Sequence, residues 1–212
     1  MDASASREHM LRRIRKALSR PLPAPFLPLE TQGEPYPQPA DDLSVIFATE
    51  FTRLLGRFAY CADEAELCNQ LDALVREKGW ADVFCRDEPL LALLDRNGMG
   101  HLPCSGNLRE CDASLTRCEA LVARTGSLLL SSAHAHGRTG SVHAPVHVCI
   151  AWTSQLVHDI SDAFARLKAT YGNNMPSAIH LATGPSRTAD IEKTLVVGVH
   201  GPKEVYCFLV ED

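Results

Sequence analysis

From residue 41 onward, short apolar or β-branched runs alternate with segments of helical spacing. No other feature constrains the fold as much. Strand-like runs fall at 58–61, 82–85, 127–131, 146–152, 178–182 and 205–210. Helical spacing fills 43–55, 63–78, 88–94 and 158–171 between them. Strands separated by helices imply βα units and a mainly parallel, buried sheet. Asp63, followed three residues later by Glu66, predicts a capped helix start, and Gly79 predicts its stop. Residues 116–124 read as one more short helix, and 98–112 as loop with a short strand. The runs 127–131 and 146–152 have no helix between them, which predicts an antiparallel excursion.

The segment before residue 41 has a different character. Met10, Leu11, Ile14, Ala17 and Leu18 recur at helical spacing with arginines opposite, the pattern of a short amphipathic helix. Seven of the 13 prolines then fall between Pro21 and Pro39, and proline's fixed φ and missing donor favour an extended connector. Residues 1–40 are therefore expected to be a basic helical arm with a Pro-rich connector, and residues 41–212 an α/β domain.

The charge follows this division. Residues 1–20 hold six basic and two acidic side chains, a balance of +4, within a chain of net charge −5. The remaining residues thus carry −9. A generally basic nucleic-acid binder would show the opposite sign. The arm suits docking on an acidic partner or a second copy. The first residues are polar and basic, and no stretch reaches the roughly 18–20 apolar residues of a membrane span, so the protein reads as cytoplasmic. None of the eight cysteines forms a Cys-x-x-Cys pair or iron–sulfur spacing, and they read as reduced, structural thiols.

Three segments carry chemistry. The first, Thr183 to Glu192, follows a predicted strand, where α/β sheets place ligands. Gly184 permits close backbone approach, Ser186 and Thr188 offer hydroxyls that can cap a helical turn, and Arg187 can grip a carboxylate or phosphate. Asp190 and Glu192 are candidate acid–base groups, or partners that hold Arg187 internally. The second is His200, between an apolar run and the Gly201-Pro202 turn, which suits a general acid or base or a buried structural ring. The third runs from Thr125, Gly126 and Ser127 into a loop with His134, His136 and His143, and His147 follows. Four histidines so close are candidate transition-metal ligands, or part of a polar loop over a pocket, with Arg138 reaching a ligand. Walker, Gly-x-Gly-x-x-Gly and Gly-x-Ser-x-Gly motifs do not occur.

The run from Gly184 to Glu192, followed by Leu195-Val196-Val197-Gly198-Val199-His200-Gly201-Pro202, resembles the signature of the lactate-utilisation protein C family (LutC, the LUD domain). Thr125-Gly126-Ser127-Leu128 is similar to that family's strand entry, although Arg124 stands where the family often has Glu. The resemblance covers roughly residues 40–212. It implies a three-layer α/β/α fold with a mainly parallel sheet, of the NagB/RpiA/CoA transferase-like type. It also implies a role in bacterial oxidation of L-lactate to pyruvate, as the subunit beside iron–sulfur partners. The clusters would then sit in those partners and this chain would bind no cofactor directly. Its pocket would take a small carboxylate or other anion, or its surface would dock the redox partners. The alternative reading is a stand-alone enzyme acting on a sugar phosphate or acyl-CoA.

Overall fold

The computed structural model describes residues 3–19, 36, 39, 41–191 and 194–212. Two compact units are present, Met1–Pro37 and Gln38–Asp212. In the first, α1 (Ala3–Leu18) forms the expected helix, with Arg15 and Lys16 in the last turn, where cations complement the helix dipole. The proline connector lies almost wholly outside the described residues. No helix among the described residues is long and apolar enough to cross a membrane.

The second unit opens with α2 (Leu43–Arg53), β1 (Arg57–Cys61), α3 (Glu64–Lys78), β2 (Val83–Phe84), α4 (Glu88–Leu94) and β3 (Cys104–Ser105). Then come β4 (Ala113–Arg117), β5 (Ala120–Val122), β6 (Ser127–Ser131), α5 (Gly140–His143) and β7 (Val146–Trp152). The chain closes with β8 (Leu156–Val157), α6 (Ile160–Tyr171), β9 (Ile179–Ala182), β10 (Arg187–Ile191), β11 (Thr194–Val197) and β12 (Glu204–Val210). Local chemistry sets the helix ends. The Asp63 carboxylate accepts from the Glu66 amide at 2.7 Å, Glu66 accepts from the Ala62 amide at 2.8 Å, and Gly79 ends α3 in the left-handed region at φ 65°.

Six strands form a parallel sheet in the order β1-β12-β7-β4-β2-β3. Its central strands are buried on both faces. Val146, Val148 and Ile150 of β7 and Tyr206, Phe208 and Val210 of β12 pack with Leu67, Leu71 and Leu90 of α3 and α4. The alternate residues Cys149, Ala151, Val205, Cys207 and Leu209 pack on the other face with Phe47 and Phe51 of α2. Helices thus cover both faces of the parallel sheet, the three-layer α/β/α arrangement.

A second sheet, ordered β8-β5-β6-β9, sits on the α2 side. Leu121, Leu128 and Leu130 face the parallel sheet, while Ala120, Val122 and Leu129 face Ala163 and Leu167 of α6. That period-two burial corrects the helix expected over 116–124, which is the end of β4, strand β5 and a 3-10 turn at Ala123–Thr125. The expected excursion is also redistributed. β6 and β7 lie in different sheets, and the antiparallel pairs are β5 with β6 and β6 with β9. The predicted capped turn after residue 186 is a β10–β11 hairpin instead.

Gly126 shows why the second sheet and α2 fit together. Its φ is +57°, and a Cβ there would lie 2.5 Å from the Phe51 amide nitrogen. Gly126→Ala should cost about 3 kcal/mol, roughly 1 for the left-handed backbone and the rest for overpacking. Gly79→Ala, with φ +65° but nothing within 4 Å, should cost only the backbone part. Urea midpoints at unchanged m value measure both.

Candidate functional site

β4, β7 and β12 run parallel and end side by side at Arg117, Trp152 and Val210. In open α/β sheets ligands sit beyond these carboxyl ends. A cleft of about 490 Å³ opens there, lined by Arg117, Glu119, His134, Trp152, Arg166 and Asp212. Its polar groups form one braced network. Arg117 Nε donates to Asp87 Oδ2 at 2.9 Å, and Asp87, 2% exposed, also caps α4 through the Leu90 amide. Glu119 Oε1 accepts from the Ser131 hydroxyl and from the Tyr171 hydroxyl at 2.9 Å.

His134 lies between the two carboxylates. Its Nε2 is 3.2 Å from Glu119 Oε1, without the alignment of a straight hydrogen bond, and its Nδ1 is 4.0 Å from Asp87 Oδ2. Burial raises the Glu119 carboxyl, but His134 and the two hydroxyls outweigh it and hold it at about 2. Glu119 is therefore a standing anion that orients His134, too weak a base to move protons near neutral pH. Arg166 donates to the Ser154 carbonyl at 2.6 Å and also lines the cleft. Two guanidiniums and a braced imidazole can hold a small carboxylate and handle one proton beside it.

The histidine loop does not act as a unit. His134 and His136 stack, with ring centroids 5.7 Å apart. His136 is buried, and neither of its nitrogens has a hydrogen-bond partner among the described residues. His147, fully buried in β7, pairs through Nε2 with Thr116 Oγ1 at 2.8 Å. His143 is exposed on α5, and Arg138 donates to Ser177 Oγ at 2.8 Å. Among the described residues no three His, Cys, Asp or Glu side chains are arranged to hold a metal.

The other predicted residues gather at the opposite pole. Gly184, Ser186 and His200 line a cavity of about 260 Å³ at the amino ends of β7 and β12, with Ser141, His180 and Thr183. The loop after β9 reaches this pole because β9 belongs to the second sheet, where the carboxyl-end rule for parallel strands does not apply. Ser127 Oγ lies 2.8 Å from both Thr125 Oγ1 and Thr183 Oγ1, which ties the Thr-Gly-Ser entry to this wall. Gly184 has φ +72° and lies against the Leu54 carbonyl. Arg187 donates to that same carbonyl at 3.2 Å, while Thr188 pairs with Val196 in the hairpin. Asp190 lies in β10, and Glu192 lies outside the described residues. The sequence reading passed over Asp87, Arg117, Glu119, Arg166, Ser141 and His180. The Arg117–Glu119 step was hidden inside the expected helix, and the Ala113-Ser114-Leu115-Thr116 segment before it carries no apolar run to mark a strand.

A family model for the LUD domain matches residues 104–210, half of the chain. An uncharacterized protein of Neisseria meningitidis serogroup B is 39% identical over 94 residues, 44% of this chain and 40% of that protein. Lactate utilization protein C of Halalkalibacterium halodurans is 37% identical over 105 residues, 49% of this chain and 46% of that one. The protein of the same name from Bacillus subtilis is 35% identical over 105 residues, 49% and 44%. The match spans less than half the length of each of these relatives. A crystal structure of a DUF162 family protein from Deinococcus radiodurans superposes with a TM-score of 0.53 at 20% identity, covering 79% of this chain and 96% of that one.

The interior rings make the fold sensitive to acid. Burial, then the neighbouring His134, pushes His136 down to about 4, and burial with His136 and His180 pushes His147 down to about 3. Unfolded, each returns to about 6.5 and binds a proton that the folded form refuses. Their contribution is present above about pH 6.5 and is lost as pH falls toward the folded values, at up to about 1.4 kcal/mol per pH unit for each ring. Urea midpoints between about pH 7.5 and pH 5 should fall steeply for the wild type and less steeply for His147→Gln. Parallel slopes would show that His147 is not held neutral.

Proposed function

We propose, from the premise that this chain belongs to the LUD domain family, that it serves lactate utilisation by holding a small 2-hydroxy or 2-oxo carboxylate in the carboxyl-end cleft. One observation carries the reading. Arg117, Arg166 and His134 converge at the ends of β4 and β7, braced by Asp87 and Glu119. Relatives named lactate utilization protein C support the pathway.

In this reading Arg166 pairs with the ligand carboxylate, since a planar guanidinium grips both oxygens. His134 takes the hydroxyl proton, with Glu119 and Asp87 flanking its ring. Oxidising a 2-hydroxy acid to a 2-oxo acid releases two electrons and two protons. The hydroxyl proton goes to His134, and the hydrogen on the carbon would leave as two electrons to iron–sulfur partner proteins and one proton to water, so this chain contributes binding and deprotonation. Its own thiols, including Cys118 of the cleft lining, stay protonated. Seven of the eight are buried, and burial raises Cys85 to about 12 and Cys61 and Cys104 to about 11.

Ligand binding to the folded state raises the melting temperature by mass action, by about 2.7 kcal/mol of stability at 100 times Kd. L-Lactate or pyruvate should produce that rise, and sugar phosphates should not. Arg166→Gln should weaken the response about 10- to 100-fold, the worth of a charge-assisted bond, while Arg187→Gln leaves it intact. Equal responses from both variants would move the ligand out of this cleft. Recovery of iron–sulfur proteins with the tagged chain tests the partners.

A further inference from the structure

We propose that the cavity at the amino ends of β7 and β12 is a separate site in which Ser141 acts as a nucleophile toward a short-chain ester, with His180 as its base. The cavity is far from the carboxyl-end cleft in topology, because it is built from the segments that enter β7 and β12 rather than those that leave them. Ser141 lies on α5, directly before β7, and is 3% exposed. His180 projects from β9 of the second sheet, and its Nε2 lies 2.9 Å from Ser141 Oγ. That spacing is the contact a nucleophile and its base require. Burial alone lowers His180 from its ordinary value, so the ring is a neutral acceptor near pH 7. Among the described residues no carboxylate pairs with His180. The site is thus a dyad.

The walls define the substrate. Two Gly-Pro turns, Gly184-Pro185 and Gly201-Pro202, face each other and are locked by the Ser186 amide donating to the Pro202 carbonyl at 3.0 Å. A Cβ on Gly201 would lie 2.8 Å from Ser186 Cβ and 3.1 Å from its hydroxyl, so glycine keeps that corner open. Ser186, His200 and Thr183 supply the other polar side chains of the cavity lining. At about 260 Å³ the space is smaller than a typical drug-sized pocket, which restricts the acyl group to a few carbons.

The chemistry balances without a redox partner. Ser141 Oγ bonds to the carbonyl carbon as its proton passes to His180 Nε2. The bond to the alcohol breaks, and the alcohol leaves with that proton. Water then adds to the acyl-serine, giving a proton to His180, and the acid departs as Ser141 recovers its hydrogen. Ester and water become acid and alcohol.

A fluorophosphonate probe reports a serine hydroxyl activated by a base. Intact-mass analysis of the full chain should show a single adduct, mapped to Ser141. Ser141→Ala should abolish it, His180→Gln should slow it at least about 100-fold, and exposed Ser177→Ala should leave it unchanged. Hydrolysis of p-nitrophenyl acetate should follow the same order. An unlabelled wild type, an adduct on another residue, or labelling undiminished in folded His180→Gln would each overturn the assignment. The wild-type measurement decides reactivity even if a variant does not fold, and circular dichroism establishes whether each variant does.

Discussion

β7 and β12 have no solvent face, and the rest of the domain is arranged around that fact. Alternate residues of each strand enter one of two cores, the α3–α4 layer or the layer of α2 and the second sheet. A parallel pair buried this way must be covered on both sides, which explains the near-continuous apolar runs and the helices flanking them. It also limits where polar chemistry can exist. Inside the sheet polar side chains are few: His147 Nε2 pairs with Thr116, while His147 Nδ1 and the Ser114 hydroxyl have no partner among the described residues. Elsewhere polar groups collect at the two ends of the strands, and both candidate sites are found there.

What was legible in the sequence tracks how local each signal is. α4 spans Glu88–Leu94 as its spacing predicts, and α3 begins and ends at its own capping residues, because those bonds close within a few residues. β7 and β12 were readable because burial on both faces leaves a dense run of apolar residues. β5 was not. Three residues show no readable period, and its strand character comes from pairing with β6 and β8, which no local pattern announces. Misreading it as helix concealed Arg117 and Glu119 at the carboxyl end of β4.

The segment around residue 184 illustrates a different limit. Gly184 and Arg187 were read as an anion-binding turn, since a left-handed glycine and a guanidinium often serve that purpose. Both converge on one atom, the Leu54 carbonyl at the end of α2. The same conformational freedom that admits a ligand also admits a helix terminus, and only the tertiary arrangement decides between them. Ser186 and His200, from the same motif, do face a cavity, although at the amino ends of the strands rather than the carboxyl ends.

The two poles are joined by histidines whose surroundings differ in one respect that matters for chemistry. His134 stacks on His136, and burial with neighbouring rings keeps His136 and His147 neutral between the cleft and the cavity. His134 at one end has two carboxylates within 4.0 Å. His180 at the other end has a serine hydroxyl and burial, which favour a neutral ring. An imidazole flanked by two carboxylates, with Arg117 and Arg166 in the same cleft, suits a site that binds a small anion. An imidazole held neutral against a hydroxyl suits a site that must take a proton away. One residue type thus serves two chemistries, separated by which acids the fold brings to each end of the parallel sheet.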